Sequence, residues 1–167
     1  FVLVGSGNPE EGELRPQLQD RFGLSVDVRT PSDVPTRVEI IRSREAFDKD
    51  RSAFRKRWAR KESTLRRRIQ RAREALDSVD TPANLLETAA KLCLALGTDG
   101  LRGELTLVRS ARALAALNND STATLEHLKA IAPSVLRHRL RRDPLDESSA
   151  DIRVERVIAE LFNDCDD

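Results

Sequence analysis

Methionine and tyrosine are absent from these 167 residues, tryptophan occurs once, and aromatics amount to 4%. Such a chain must build its core from Leu, Ala, Val and Ile, which suits a soluble, helix-rich protein. Long apolar runs are also missing: none could span a bilayer, and nothing resembles a signal peptide. Cysteine occurs only twice, so there is no disulfide framework and no metal-ligand spacing. Cys93 sits in the apolar pattern Leu92-Cys93-Leu94 and reads as a small buried hydrophobe. Cys165 lies in an acidic tail with no expected role, and a reducing cytosolic compartment suits both thiols. The lack of methionine, with Phe1 already inside an apolar strand pattern, leads us to expect a piece of a longer protein.

Charge is abundant, at 34% Asp, Glu, Lys and Arg, yet nearly balanced at +1. The overall balance therefore gives no case for a nucleic-acid or membrane partner. Locally it differs: Arg51 to Arg73 holds eleven Lys or Arg against Glu62 alone, a balance of +10, leaving about −9 for the rest.

Three regions follow from the pattern. Residues 1–30 read as strand, loop, short helix, strand. Phe1–Val4 is apolar and ends on Gly5-Ser6-Gly7-Asn8-Pro9; Arg15–Phe22 suits a short helix; Leu24–Val28 alternates with period two. After a linker or helix entry at Thr30–Pro35, residues from Thr36 to about Leu76 read as helical, with a break near Asp48-Lys49-Asp50. There Phe54, Trp58, Leu65, Ile69, Ala72 and Leu76 form one narrow apolar stripe on a very basic helix. Residues 82–162 read as a small helical bundle. Thr81 is the expected cap of a helix marked by Leu85, Ala89, Leu92 and Leu96, which Gly97-Thr98-Asp99-Gly100 stops. A further helix carries Leu105, Val108, Ala111, Leu114 and Ala115; another runs from Leu125 to Leu140, strained by Pro133; Ile152–Phe162 is the last.

Two polar residues of the opening stretch carry alternative readings. Asn8, at the carboxyl end of an expected strand, could orient a water through its amide, or simply serve a turn. Arg21 offers a planar, permanently charged fork for phosphate oxygens, while Asp20 beside it could steady that fork or meet a neighbouring subunit. The plainer reading of this pair is a surface ion pair at a helix end.

The stretch Gly5-Ser6-Gly7-Asn8-Pro9-Glu10-Glu11-Gly12-Glu13-Leu14-Arg15-Pro16-Gln17-Leu18, followed by Asp20-Arg21-Phe22-Gly23-Leu24, resembles the AAA+ ATPase subunit of magnesium chelatase. So do Gly100–Leu107 and Leu136–Glu147, so that the resemblance covers nearly the whole chain. It is weakest over 48–80 and in the acidic tail.

The resemblance implies a mixed fold class, α/β plus all-α. Residues 1–30 would end a P-loop AAA+ core, 31–80 would be a helical insertion before sensor 2, and 81–167 a helical lid. It implies that Asn8 is sensor 1, placing the attacking water, and that Arg21 is the arginine finger given to a neighbour's ATP. Asp20 would be the interface aspartate and Arg102 sensor 2, contacting the nucleotide of its own subunit. ATP and Mg2+ are the implied cofactors. The implied partners are further copies in a ring, expected as a hexamer, a second AAA+ chelatase subunit and a large porphyrin-binding subunit. The implied activity is a motor for Mg2+ insertion into protoporphyrin IX in (bacterio)chlorophyll biosynthesis. Its compartment would be the bacterial cytoplasm, or the chloroplast stroma in a plant or alga.

Gln19 stands where the family pattern leads us to expect an apolar residue. No Gly-x-x-x-x-Gly-Lys-Ser/Thr loop occurs in these residues, so no phosphate cradle or metal ligand is expected here, and this stretch alone should not hydrolyse ATP. Phe54 and Trp58 lie on the packing stripe, which argues against base stacking by the basic helix. His127 and His138 lack ligand spacing and read as helix-surface residues, and Arg137, Arg139, Arg141 and Arg142 as solvated or intersubunit. Glu10, Glu11 and Glu13 suit either a ring interface or a solvated loop. Another AAA+ remodeller, or a non-catalytic helical interaction module, remain the competing readings.

Overall fold

The computed structural model describes residues 2–8, 12, 14–140 and 150–163. Within them the order is α1 (Pro16–Gln19), α2 (Val34–Lys49), α3 (Arg51–Ala75), α4 (Ala83–Ala95), α5 (Arg102–Asn118), α6 (Leu125–Leu136) and α7 (Ala150–Asn163). Phe1, Glu10, Glu11, Glu13, the Arg141–Glu147 motif and Cys165 lie outside the described residues.

The expected strands do not form: among the described residues the only β pairing is an isolated bridge between Asp80 and Thr122. Val2, Leu3, Val4, Val26 and Val28 are exposed instead. A strand needs a neighbour to take up its backbone N–H and C=O groups, and alternating side chains cannot supply one.

Asp50 divides the long helical region. Its extended backbone (φ −151°, ψ 94°) closes α2, and its carboxylate accepts from the Ala53 N–H at 2.9 Å to start α3. The apolar stripe of α3 is covered only at its ends. Phe47 and Phe54 meet edge to face at 5.6 Å, with Trp58 next in line and Lys61 over its ring at 4.4 Å. At the far end Ala72 is buried, and Arg68 ties α3 to α5 through the Leu117 carbonyl at 2.8 Å. Leu65 and Ile69, between these ends, stay open to solvent.

The core lies among α4 to α7. Leu85, Ala89, Leu92 and Cys93 of α4 meet Leu107, Ala111 and Ala115 of α5. Leu128, Ala132, Val135 and Leu136 of α6, with Val154 and Ile158 of α7, close the cluster. Three expectations shift here. Helix α4 is capped by Pro82 rather than Thr81, with no side-chain cap bond. Leu105 is exposed, and Leu107 is buried in its place. Helix α6 ends at Leu136 instead of Leu140, running past Pro133, whose carbonyl still accepts from the Arg137 N–H at 3.1 Å. Arg139 N–H then reaches back only three residues, to the Leu136 carbonyl at 2.9 Å.

Left-handed backbone makes the tight joints. Gly97 (φ +65°) and Gly100 (φ +68°) turn α4 into α5, while Asn119 (φ 70°) closes α5. The next joint is held by His127. Its Nδ1 accepts from the Thr124 N–H at 3.1 Å, and its Nε2 meets Asp120 Oδ2 at 3.1 Å. His127 is 8% exposed, so it is a buried cap rather than a surface residue.

Candidate functional site: an arginine cluster on one aspartate

Residues 14–25 run back against the bundle. The Ser25 N–H donates to the Ser134 carbonyl of α6 at 2.8 Å. A Cβ placed on Gly23 would lie 3.6 Å from Thr106 of α5, and one on Gly5 would lie 3.9 Å from the Phe22 ring. The segment therefore spans the start of α5 and the end of α6.

At its centre is Asp20, just after α1. Its Oδ2 accepts from Arg102 Nη1, and its Oδ1 accepts from Arg139 Nη1, both at 2.5 Å. One carboxylate thus holds two guanidinium groups, through charge-assisted bonds of the strong kind. Arg102 is the first residue of α5, and its side chain stays 58% exposed. The cap residue Leu101 offers no side-chain acceptor to the first turn of α5. Arg102 thus keeps part of its guanidinium open to solvent at the first turn of α5, which also carries Glu104.

Arg139 differs sharply: its side chain is 4% exposed. Besides Asp20 Oδ1 it donates to the Asp20 carbonyl (3.2 Å), the Phe22 carbonyl (2.9 Å) and the Val135 carbonyl (3.1 Å). Burial draws its pKa below the usual arginine value, Asp20 opposes that, and Arg102 adds to it. Neighbouring His138 donates from Nε2 to the Phe22 carbonyl at 3.0 Å, which places its hydrogen on that nitrogen. Its Nδ1 is buried without a hydrogen-bond partner among the described residues. Burial pushes the His138 pKa down; the Phe22 bond opposes this, Arg139 assists it, Asp20 opposes it and Arg137 assists it.

Of the four residues singled out from the sequence, Asp20 and Arg102 are brought into direct contact across the fold. Arg21 follows Asp20, and its exposed guanidinium forms no ion pair with a described residue. Asn8 is exposed on a stretch that forms no strand, so no sheet edge presents it. Of the two readings for Arg139, solvated or intersubunit, its burial removes the first, and a surface role for His138 is overturned; both clamp the backbone around Arg21. A clue lay in the Leu136–Glu147 motif that carried the resemblance, yet its alternating arginines looked like a solvent face. Among the described residues no group of His, Cys, Asp and Glu could hold a metal, and no helix is long and apolar enough to cross a membrane.

The AAA lid domain family matches residues 86–160, the region of α4 to α7. The magnesium-chelatase 38 kDa subunit of Acidiphilium rubrum is 60% identical over 163 residues, 98% of this chain and 47% of that protein. Over nearly its whole length the chain is similar to magnesium-chelatase 38 kDa subunits. The subunit of that name from Cereibacter sphaeroides is 58% identical over 97% of this chain and 48% of its own length. The chloroplastic magnesium-chelatase subunit ChlI of Oryza sativa is 44% identical over 97% of the chain and 39% of its own length. The chain thus spans about half the length of its bacterial relatives. A crystal structure of a protein from Cytophaga hutchinsonii aligns with a TM-score of 0.63 at 18% identity, covering 88% of this chain and 48% of that one. That likeness shows the fold alone. The aspartate-centred cluster therefore joins residues 20–22 to the start of α5, within the stretch that matches the AAA lid domain.

Proposed function

We propose that the protein containing this chain is the ATP-driven motor of a magnesium chelatase, coupling ATP hydrolysis to insertion of Mg2+ into protoporphyrin IX. Bound ATP with its Mg2+ supplies the phosphoryl group whose transfer to water releases the driving energy. Catalysis of that transfer rests on positioning and on countering negative charge, so the chain's work falls to a few polar groups. Arg21, exposed beside the clamped Asp20, acts as the finger toward a neighbouring subunit. Arg102, more than half exposed, keeps donors within reach of an anion and acts as sensor 2 in its own subunit. Asn8 orients the attacking water through its amide. Asp20 serves as the interface aspartate and holds Arg102 at the same time.

Supporting this reading is the 2.5 Å ion pair between Asp20 and Arg102, which sets the residue before the finger against the sensor on the lid. Head-to-tail rings of this subunit, expected as hexamers, put Arg21 beside a second nucleotide. A second AAA+ subunit and a porphyrin-binding subunit complete the enzyme, and the bacterial cytoplasm is its compartment. The test is Arg21→Ala in the full-length protein. Assembly survives and ATP turnover falls by ~10³–10⁵-fold, the usual worth of such a finger. Unchanged turnover in intact assemblies overturns the finger assignment.

A further inference from the structure

Arg139 does more than close a lid. Its guanidinium is almost wholly buried and bonds to the carbonyls of Asp20 and Phe22, the two residues that flank Arg21. A second donor, His138 Nε2, reaches the same Phe22 carbonyl. The Asp20 carboxylate is fixed by the same fork. Further along, Ser25 is bonded to Ser134 of α6. The backbone on both sides of Arg21 is therefore docked on the end of α6, while the Arg21 side chain itself stays free to extend.

We infer that Arg139 is a positioning residue for Arg21: it sets the reach and direction of the finger by clamping its two neighbours to the lid. This rests on the reading of Arg21 as a finger. The geometry suits such a task better than it suits stability alone. Burying an arginine costs solvation that a well-packed apolar residue would not incur. A planar fork, unlike a lysine point charge, can meet a carboxylate and two separate carbonyls at once. Because Arg102 shares the same carboxylate, any movement of the lid that shifts α5 and α6 carries the finger with it. The residue that serves the neighbour's nucleotide is thereby linked to the residue that serves its own.

The test uses the full-length protein and compares Arg139→Lys, Arg21→Ala and the double variant. Lysine keeps the charge while losing the fork. We expect Arg139→Lys to assemble normally, keep its KM for ATP, and lose kcat by about 10²-fold, the scale of a 1 Å misplacement. In the Arg21→Ala background the same change should have no further effect, because the group being positioned is gone. Unchanged kcat in Arg139→Lys overturns the proposal, as do losses that multiply in the double variant, or a raised KM with kcat intact. Should Arg139→Lys fail to fold, His138→Leu removes one donor to Phe22 without exposing a charge. It is expected to lower kcat at constant KM, and unchanged kcat there also overturns the proposal. The two readings separate cleanly: if Arg21→Ala alone leaves turnover intact, the finger assignment falls first.

Discussion

Asp20 and Arg102 stand 82 positions apart in the chain and meet at 2.5 Å, and the same carboxylate binds Arg139 at 2.5 Å. Two arginines on one aspartate differ in how much they lose if it goes. Arg139 has almost no access to water, whereas Arg102 is more than half exposed.

Replacing Asp20 with Asn should therefore destabilise the protein by about 1–3 kcal/mol, because the amide brings no charge and can turn its one oxygen to only one of the two guanidinium groups. Arg102→Ala removes only the exposed partner and should cost ~0–1 kcal/mol. Urea unfolding of the three proteins gives the comparison. A larger loss for Arg102→Ala than for Asp20→Asn would mean that Arg139 does not depend on this carboxylate.

Stability should also fall with pH through His138. Burial holds its folded pKa below the ordinary 6.5, so the ring is neutral in the fold while the unfolded chain takes up a proton. Between those two pKa values the unfolded state binds more protons, and stability rises with pH. The contribution is whole above about pH 6.5 and is lost as pH falls toward the folded value. Urea midpoints at several pH values should show a shallower acid decline for His138→Gln than for the native protein. Equal slopes would remove His138 from the cause.

Core truncation gives a plainer contrast. Leu128→Ala, at a fully buried position of α6, should cost about 2–5 kcal/mol. Leu94→Ala, on the 78% exposed face of α4, should stay within about 0.5 kcal/mol. Thermal or urea unfolding separates them, and similar losses would contradict the placement of the core.

Cys93 should be chemically silent. Burial, with the Glu104 charge adding to it, pushes its pKa up to about 11, far from the thiolate range of reactive cysteines. In a Cys165→Ser background, peptide mapping after treatment with a disulfide reagent should find Cys93 unmodified in the native protein and modified after denaturation. Rapid native modification would place Cys93 at the surface.

Local grammar was legible in the sequence because its causes are local. Asp50 breaks the long helix with its own carboxylate, and Gly97 and Gly100 adopt backbone that other residues avoid. Leu85, Ala89 and Leu92 fall on one face by helical spacing, and all three are buried. The site was only half legible. The family motif points to Asp20, Arg21 and Arg102, of which the structure joins Asp20 to Arg102, yet Arg139 reads from the sequence only as solvated or intersubunit. Its partner lies 119 positions away, and nothing in a run of alternating arginines distinguishes a buried fork from a hydrated one. The strand readings failed for a related reason: alternation at 24–28 fits a pleat, but pairing depends on a neighbour these residues do not meet.

The central claim is that Arg21 and Arg102 of one chain serve two different nucleotides. Mixing full-length Arg21→Ala with full-length Arg102→Ala and measuring ATP turnover tests it most directly. Each variant alone is expected to be impaired. In mixed rings an intact Arg102 on one subunit can face an intact Arg21 on the next, so turnover should recover above that of either variant. Mixed rings no more active than the separate variants would contradict the account.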